Sequence, residues 1–152
     1  NNEKLINYAN DKGYEIVFKM HPRIAEYLNL FDKNENIIFD DVTKYHDIIC
    51  DCALMITDYS SVAFDFAYLK KPVIYYQYGD DYHFDVETNY FDEEKSGFGE
   101  IIKDEDKLVE KVIEYIDNDC TMEDKFRDNV DAFFKYHDKN NSKRCYEWIK
   151  SH

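Results

Sequence analysis

The stretch Ala53–Tyr76, ALMITDYSSVAFDFAYLKKPVIYY, restricts the fold of this chain more than any other. Ala53–Ile56 is a continuous apolar run, the pattern of a central parallel strand covered on both faces. A polar turn, Thr57-Asp58-Tyr59-Ser60-Ser61, comes next. Val62, Phe66 and Leu69 then recur at i, i+4 and i+7, on one face of a helix. Pro72 stops that helix and Val73–Tyr76 reads as a second buried strand. The unit is βαβ, with a polar turn at its carboxyl edge. Ligands of open α/β sheets bind in the crevice outside the carboxyl ends of the strands, so the turn is the first place to look for function.

The flanking sequence extends the same alternation. Glu3–Asn10 carries Leu5, Ile6 and Ala9 at helical spacing and closes at Lys12-Gly13. Tyr14–Met20 reads as a strand that ends at His21-Pro22, because Pro22 biases His21 to an extended conformation. A helix is expected over 23–30 and a short strand over 36–39. Thr43 is the expected N-cap of a helix through Tyr45, Ile48 and Ile49, with Asp47 in its first turns. Residues 77–99 hold few aliphatics and five acids from Asp80 to Asp92, and read as a long functional loop. Glu100–Ile102 reads as a strand. Asp104 or Asp106 opens a helix with Leu108, Val109, Val112, Ile113 and Ile116 inward, and Thr121 is the expected cap of a helix through Phe126, Val130, Phe133 and Phe134. A last helix, Ser142–Ser151, is expected to turn Cys145, Trp148 and Ile149 inward. Strands alternating with helices predict an α/β fold, a Rossmann-like parallel sheet with flanking helices.

The 152 residues suit one domain, and fourteen Tyr with eleven Phe supply a large buried payload. Thirty-three acidic against nineteen basic residues leave a formal net charge of −14. A field of that sign repels nucleic acid and anionic membrane surfaces, so neither is an expected direct partner. Cys50, Cys52, Cys120 and Cys145 lack disulfide or zinc spacing, and reduced thiols of a cytoplasmic protein are expected. No apolar run approaches the roughly 20 residues of a membrane span, and no signal peptide opens the chain. Because it starts at Asn1, within a helical pattern, a fragment of a longer protein is expected.

Several side chains can carry chemistry. Amides at a helix start and the hydroxyls of Ser60 and Ser61 can hold phosphate oxygens, or Ser60 can simply cap its own helix; spacing leaves both readings open. His21, at a strand end, can donate to a phosphate or move a proton, and the two strand ends are expected to set His21 and Ser60 on one rim. Asp65, between Phe64 and Phe66, is expected to need a hydrogen-bond partner. His137, Asp138, Ser142 and Arg144 make a polar turn before the last helix. His46 and His83 read as solvated. Asp40-Asp41 and Asp80-Asp81 lack a third ligand at metal spacing, so no metal site is expected.

Lys19-Met20-His21-Pro22, Asp47, the run from Thr57 through Phe66, and Lys71-Pro72-Val73, in that order, resemble the CDP-glycerol glycerophosphotransferase family of teichoic acid polymerases and primases. The resemblance covers about Tyr14 to the end. It implies a GT-B enzyme of two Rossmann-like domains, with residues 1–152 as the C-terminal, donor-binding one. The implied reaction moves glycerol phosphate, or a related polyol phosphate, from a CDP-activated donor to a growing teichoic-acid-like polymer and releases CMP.

By position in the family pattern, His21 is the implied catalytic residue at the donor pyrophosphate. Ser60, Ser61 and Thr57 are the implied phosphate ligands. Asp58, Asp65, His137, Asp138, Ser142 and Arg144 are supporting positions. No tightly bound cofactor is implied; the donor is CDP-glycerol or a similar CDP-polyol, and the polymer acceptor is met through the missing domain. The full-length enzyme is expected at the inner face of the cell membrane, with membrane contact only indirect. Two alternatives share the residues: a GT-B domain acting on a nucleotide sugar, or a non-catalytic α/β binding module.

Overall fold

The computed structural model describes residues 2–21, 27, 30–31, 34–40, 44–78 and 91–152. Over these the elements run α1 (Glu3–Asp11), β1 (Ile16–Phe18), β2 (Ile37–Phe39), α2 (Tyr45–Asp51), β3 (Met55–Thr57), α3 (Val62–Tyr68), β4 (Val73–Tyr76), α4 (Glu93–Ser96), β5 (Gly99–Ile102), α5 (Glu105–Asp117), α6 (Asp124–Phe133) and α7 (Asn141–Ser151). Among the described residues every strand pairing is parallel, the pattern of an α/β chain.

Local chemistry sets most of the boundaries. The Asn2 side chain caps α1 by accepting from the Leu5 amide at 3.1 Å, and Gly13 leaves the helix at φ +82°. Asp104 caps α5 by accepting from the Lys107 amide at 3.0 Å. Lys71 closes the other end of a helix. Its ammonium donates to the carbonyls of Ile49, Cys50 and Cys52 at 3.0, 2.6 and 2.8 Å, satisfying the carboxyl end of α2.

β4 is the spine of the molecule, its Val73, Ile74 and Tyr75 fully buried, and its alternation divides the core. Val73 and Tyr75 pack with Ile49, Ala63 and Phe66 of α2 and α3. Ile74 turns the opposite way, onto Ala9 of α1 and Val112, Tyr115 and Ile116 of α5. Burial of side chains of this size stabilises by roughly 1.5–3 kcal/mol each, so β4 anchors helices on both faces. Gly99 begins β5 against this strand: a Cβ there would lie 1.8 Å from the Val73 carbonyl oxygen. A third cluster, Ala67, Phe98, Met122, Phe126 and Val130, joins α3, β5 and α6.

The strands divide into a two-stranded ladder, β1-β2, and a three-stranded ladder, β3-β4-β5. β3 is therefore the edge of its ladder rather than a strand covered on both faces, and Ile56 is 43% exposed. β1 meets the other ladder by packing: Ile16 lies against the Ala9–Ile74–Ile102 cluster. The shared rim expected for His21 and Ser60 is thus not carried by strand pairing.

Other expectations also change. Residues 91–99 are not loop throughout: Asp92 caps α4 by accepting from the Glu94 and Lys95 amides, both at 3.1 Å, and Phe98 is fully buried. Leu69 lies past the end of α3 and is exposed, so only Val62 and Phe66 of its expected face turn inward. Thr121 does not cap α6, which begins after Glu123. Cys145, Trp148 and Ile149 are exposed on α7 because no described element packs over that face. Most of 23–30, with Thr43, Asp80-Asp81 and His83, lies outside the described residues.

Candidate functional site at the carboxyl edge of the sheet

β3 ends at Thr57, in register with Tyr75 of β4, and the turn 58–61 carries the chain over the edge into α3. Beside it lies a cavity of about 330 Å³ lined by Ile56, Thr57, Asp58, Tyr59, Tyr76 and Tyr78. It combines the apolar Ile56, the Thr57 hydroxyl, the acidic Asp58 and the aromatic Tyr59, Tyr76 and Tyr78 at the carboxyl ends of two adjacent parallel strands. That is the place where an open α/β sheet binds its ligand.

The turn has a local structural task as well. Ser60 Oγ accepts from the Val62 amide at 3.3 Å, while the Ala63 and Phe64 amides donate to the carbonyls of Ser60 and Ser61, both at 3.1 Å. Ser60 therefore satisfies the first amide of α3 from the position before the cap. Ser61 occupies the cap position without a side-chain cap bond and is exposed, so its hydroxyl is the one that points out of the turn's own bonding. Asp58 is also exposed.

Across the same edge, Gln77, just past β4, donates from Nε2 to Glu93 Oε2 of α4 at 2.6 Å. Burial pushes the Glu93 carboxyl above its ordinary range; the Gln77 bond opposes this, and the negative charge of Asp58 adds to it. The Tyr75 phenol lies deeper, pushed up to about 12 chiefly by burial. Its hydroxyl is, among the described residues, the buried side-chain oxygen that finds no hydrogen-bond partner. The Phe98 backbone eases its charged form slightly without closing a hydrogen bond. No local sequence pattern marks Gln77, Glu93 or Tyr75, because only the tertiary fold brings residue 93 to the end of β4.

His21 is exposed immediately past β1. Asp65 is exposed too, and its carboxylate forms no ion pair or hydrogen bond with the described residues. The partner expected for it is unnecessary, since α3 turns Phe66 inward and Asp65 to solvent. Asp65 instead lines a second cavity, about 340 Å³, with Phe64, Tyr68 and Tyr136 between α3 and the turn before α7. That cavity lies along a helix rather than at the strand ends, so the carboxyl-edge cavity is the stronger candidate.

The turn before α7 is tightly built. Arg144 grips Asp138 through two bonds, 2.8 Å to Oδ1 and 2.5 Å to Oδ2, and its guanidinium lies 3.7 Å from the centre of the Tyr136 ring. The Arg144 bonds, helped by the Asn140 amide, hold the Asp138 carboxyl down at about 2. His137 stacks on Tyr68 at 5.1 Å with its Nε2 3.4 Å from Asp131 Oδ1, and the Tyr68 hydroxyl donates to the carbonyls of Tyr136 and Asp138 at 3.3 and 3.4 Å. Ser142 is exposed in the first turn of α7. His137, Asp138 and Arg144 thus fasten the turn to α3, and Asp138 is already saturated by Arg144.

Among the described residues no cluster of three His, Cys, Asp or Glu side chains is arranged to hold a metal ion, and no helix is long and apolar enough to cross a membrane.

Comparison with known proteins adds the chemical context. Residues 1–151 match the family model described as CDP-Glycerol:Poly(glycerophosphate) glycerophosphotransferase. The minor teichoic acid biosynthesis protein GgaB of Bacillus subtilis (strain 168) is 47% identical over 150 residues, covering 98% of this chain and 16% of that protein. The teichoic acid ribitol-phosphate polymerase TarL of Staphylococcus aureus is 33% identical over 147 residues, covering 93% of this chain and 25% of its own length. A teichoic acid poly(glycerol phosphate) polymerase of Bacillus spizizenii is 33% identical over 101 residues, covering 65% of this chain and 26% of that protein. The chain therefore spans about a quarter or less of the length of these relatives.

Proposed function

Because this chain belongs to the CDP-glycerol:poly(glycerophosphate) glycerophosphotransferase family, we propose that it is the donor-binding domain of a longer two-domain polyol-phosphate transferase. The observation that carries this reading is the 330 Å³ cavity at the carboxyl edge of β3 and β4, lined by Tyr76 and Tyr78 and by Thr57, Asp58 and Tyr59, which lead into the Ser60-Ser61 turn. The cytosine and ribose of a CDP-polyol occupy the cavity, with Tyr76 and Tyr78 as stacking surfaces. Thr57, Ser60 and Ser61 supply hydroxyls to the diphosphate; Ser60 Oγ accepts from the Val62 amide, which leaves its own O–H to donate.

In the reaction, an acceptor hydroxyl oxygen forms a bond to the distal phosphorus while the bridging phosphorus–oxygen bond breaks and CMP departs with its electron pair. The acceptor proton passes to a base on the opposite wall of the cleft. His21 stabilises the negative charge gathering on the phosphoryl oxygens and the departing CMP. Asp58 lines the cavity, whereas Asp65 lies on α3 beside the turn before α7, which His137, Asp138 and Arg144 hold in place. The product is a teichoic-acid-like polymer lengthened by one polyol phosphate, made at the cytoplasmic face of the membrane.

Titrating the intact protein with CDP-glycerol, CMP and UDP-glucose tests the reading. Cytidine preference is expected; uridine preference points to a nucleotide-sugar enzyme, and silence toward all three to a non-catalytic module. His21→Ala is expected to lower turnover at least about tenfold with the fold retained. Unchanged turnover removes His21 from the mechanism.

A further inference from the structure

The last helix is held to the body near one point. Along α7 only Arg144 is half-buried, through its bonds to Asp138; every other residue from Asn141 to Ser151 is exposed. An isolated helix of 11 residues is marginal in water, so its free face calls for a covering surface. Tyr146, Trp148 and Ile149 are 65, 63 and 68% exposed, and with Cys145 they fall three and four residues apart, in one continuous apolar stripe. Lys143 lies three residues before Tyr146 and Lys150 four after it, along the margin of that stripe. The charge of this end is opposite to that of the chain. Residues 135–152 carry five basic side chains against Asp138 and Glu147, whereas the whole chain stands at −14. Arg144 holds Asp138 and Lys143 reaches Glu147 at 3.7 Å, which leaves Lys135, Lys139 and Lys150 without an acidic partner among the described residues. An anionic polymer explains the lysines but not the apolar stripe, and a second copy of this helix brings lysine against lysine. A lipid–water boundary satisfies both features: indole and phenol rings sit at headgroup depth, and ammonium groups meet lipid phosphates. The acidic remainder of the chain is screened beyond about 8 Å at physiological salt, so the local charge decides.

We propose that α7 is an interfacial helix that lays Tyr146, Trp148 and Ile149 into the headgroup region of an anionic lipid surface, with Lys143 and Lys150 at its margin. The helix lies on the surface and does not cross it, being 11 residues long. This differs from the indirect membrane contact expected from net charge, and it does not rest on the donor-site reading.

Trp148 is the one tryptophan of the chain, so its emission reports from the face itself. The test adds vesicles of phosphatidylcholine, with and without phosphatidylglycerol, to the protein and follows that emission together with co-flotation. A blue shift and flotation with the phosphatidylglycerol vesicles, both reduced by salt, are expected. Lys143→Gln combined with Lys150→Gln is expected to weaken flotation at least about tenfold, and Ile149→Ser about tenfold, with thermal unfolding unchanged because all three side chains are exposed. Failure to float with either vesicle overturns the proposal, as does flotation that neither variant alters. Emission that is already blue and shielded from acrylamide before lipid is added overturns it in favour of a protein surface over α7, and sedimentation then shows whether that surface is a second copy. Binding of free poly(glycerol phosphate) in place of vesicles, without a blue shift, overturns it in favour of the polymer.

Discussion

Tyr75 is pulled in two directions at the scale of one residue. Its ring fills the core between β4 and α3, at 1% exposure, while its hydroxyl lies in that core without a partner. An unsatisfied buried polar atom is destabilising, whereas its removal at constant shape is not. Tyr75→Phe is therefore expected to stabilise the free protein by about 1 kcal/mol, seen as a higher midpoint in urea unfolding. Loss of stability instead would show that the hydroxyl is satisfied in solution. The same residue bears on alkaline stability. Burial raises the folded-state phenol to about 12, from about 10 in the unfolded chain. Its neutral form contributes fully below about 10, and that contribution is lost as pH rises toward about 12. The phenylalanine variant should lack this part of the alkaline decline.

Lys71 shows how an element, rather than a ligand, can claim a residue that reads as a motif. Lys71-Pro72-Val73 is one of the segments that resemble the family, and a lysine near a phosphate site invites a binding role. Its ammonium instead closes the carboxyl end of α2 through three carbonyls. Lys71→Met keeps the aliphatic stem and removes those bonds, so a stability loss of about 2 kcal/mol with unchanged CMP affinity is expected. Weaker CMP binding at unaltered stability would instead assign Lys71 to the ligand. The helices and strands around it were legible because their patterns are local: the period of α5, the apolar run of β4, the glycine after α1. The aromatic cluster was not. Phe64, Phe91, Phe98 and Phe134 come from distant segments, with Phe98 centred 5.3, 5.0 and 5.8 Å from the other three rings. Nothing in the local sequence marks 91–99 as part of the core.

The whole molecule carries a formal charge of −14 while its proposed ligand is itself an anion. The global field slows the approach of a CDP-polyol, and close contacts must outweigh it. Raising ionic strength from about 0.01 M to 0.15 M contracts the screening length from about 30 Å to about 8 Å, so association of CDP-glycerol is expected to speed up. Stopped-flow binding at two salt concentrations measures it; a rate that falls with salt would mean that a local cationic field governs capture. The exposed apolar face of α7, with Tyr146, Trp148 and Ile149 each more than 60% exposed, belongs to this scale as well. Sequence periodicity correctly gave that helix an apolar face, but periodicity does not say whether a partner covers it.

The sequence by itself determined the α/β alternation, the βαβ unit from Ala53 to Tyr76 and the polar turn at its carboxyl edge, because strand and helix periods and proline breaks are written in neighbouring residues. It also determined the family, through His21-Pro22 and the run from Thr57 to Phe66. The tertiary structure decided what those residues touch. It divided the strands into two ladders, left Asp65 in solvent, bound Asp138 to Arg144, and brought Glu93 to Gln77 at the end of β4. These outcomes depend on contacts between residues far apart along the chain, and such contacts are fixed only when the core closes.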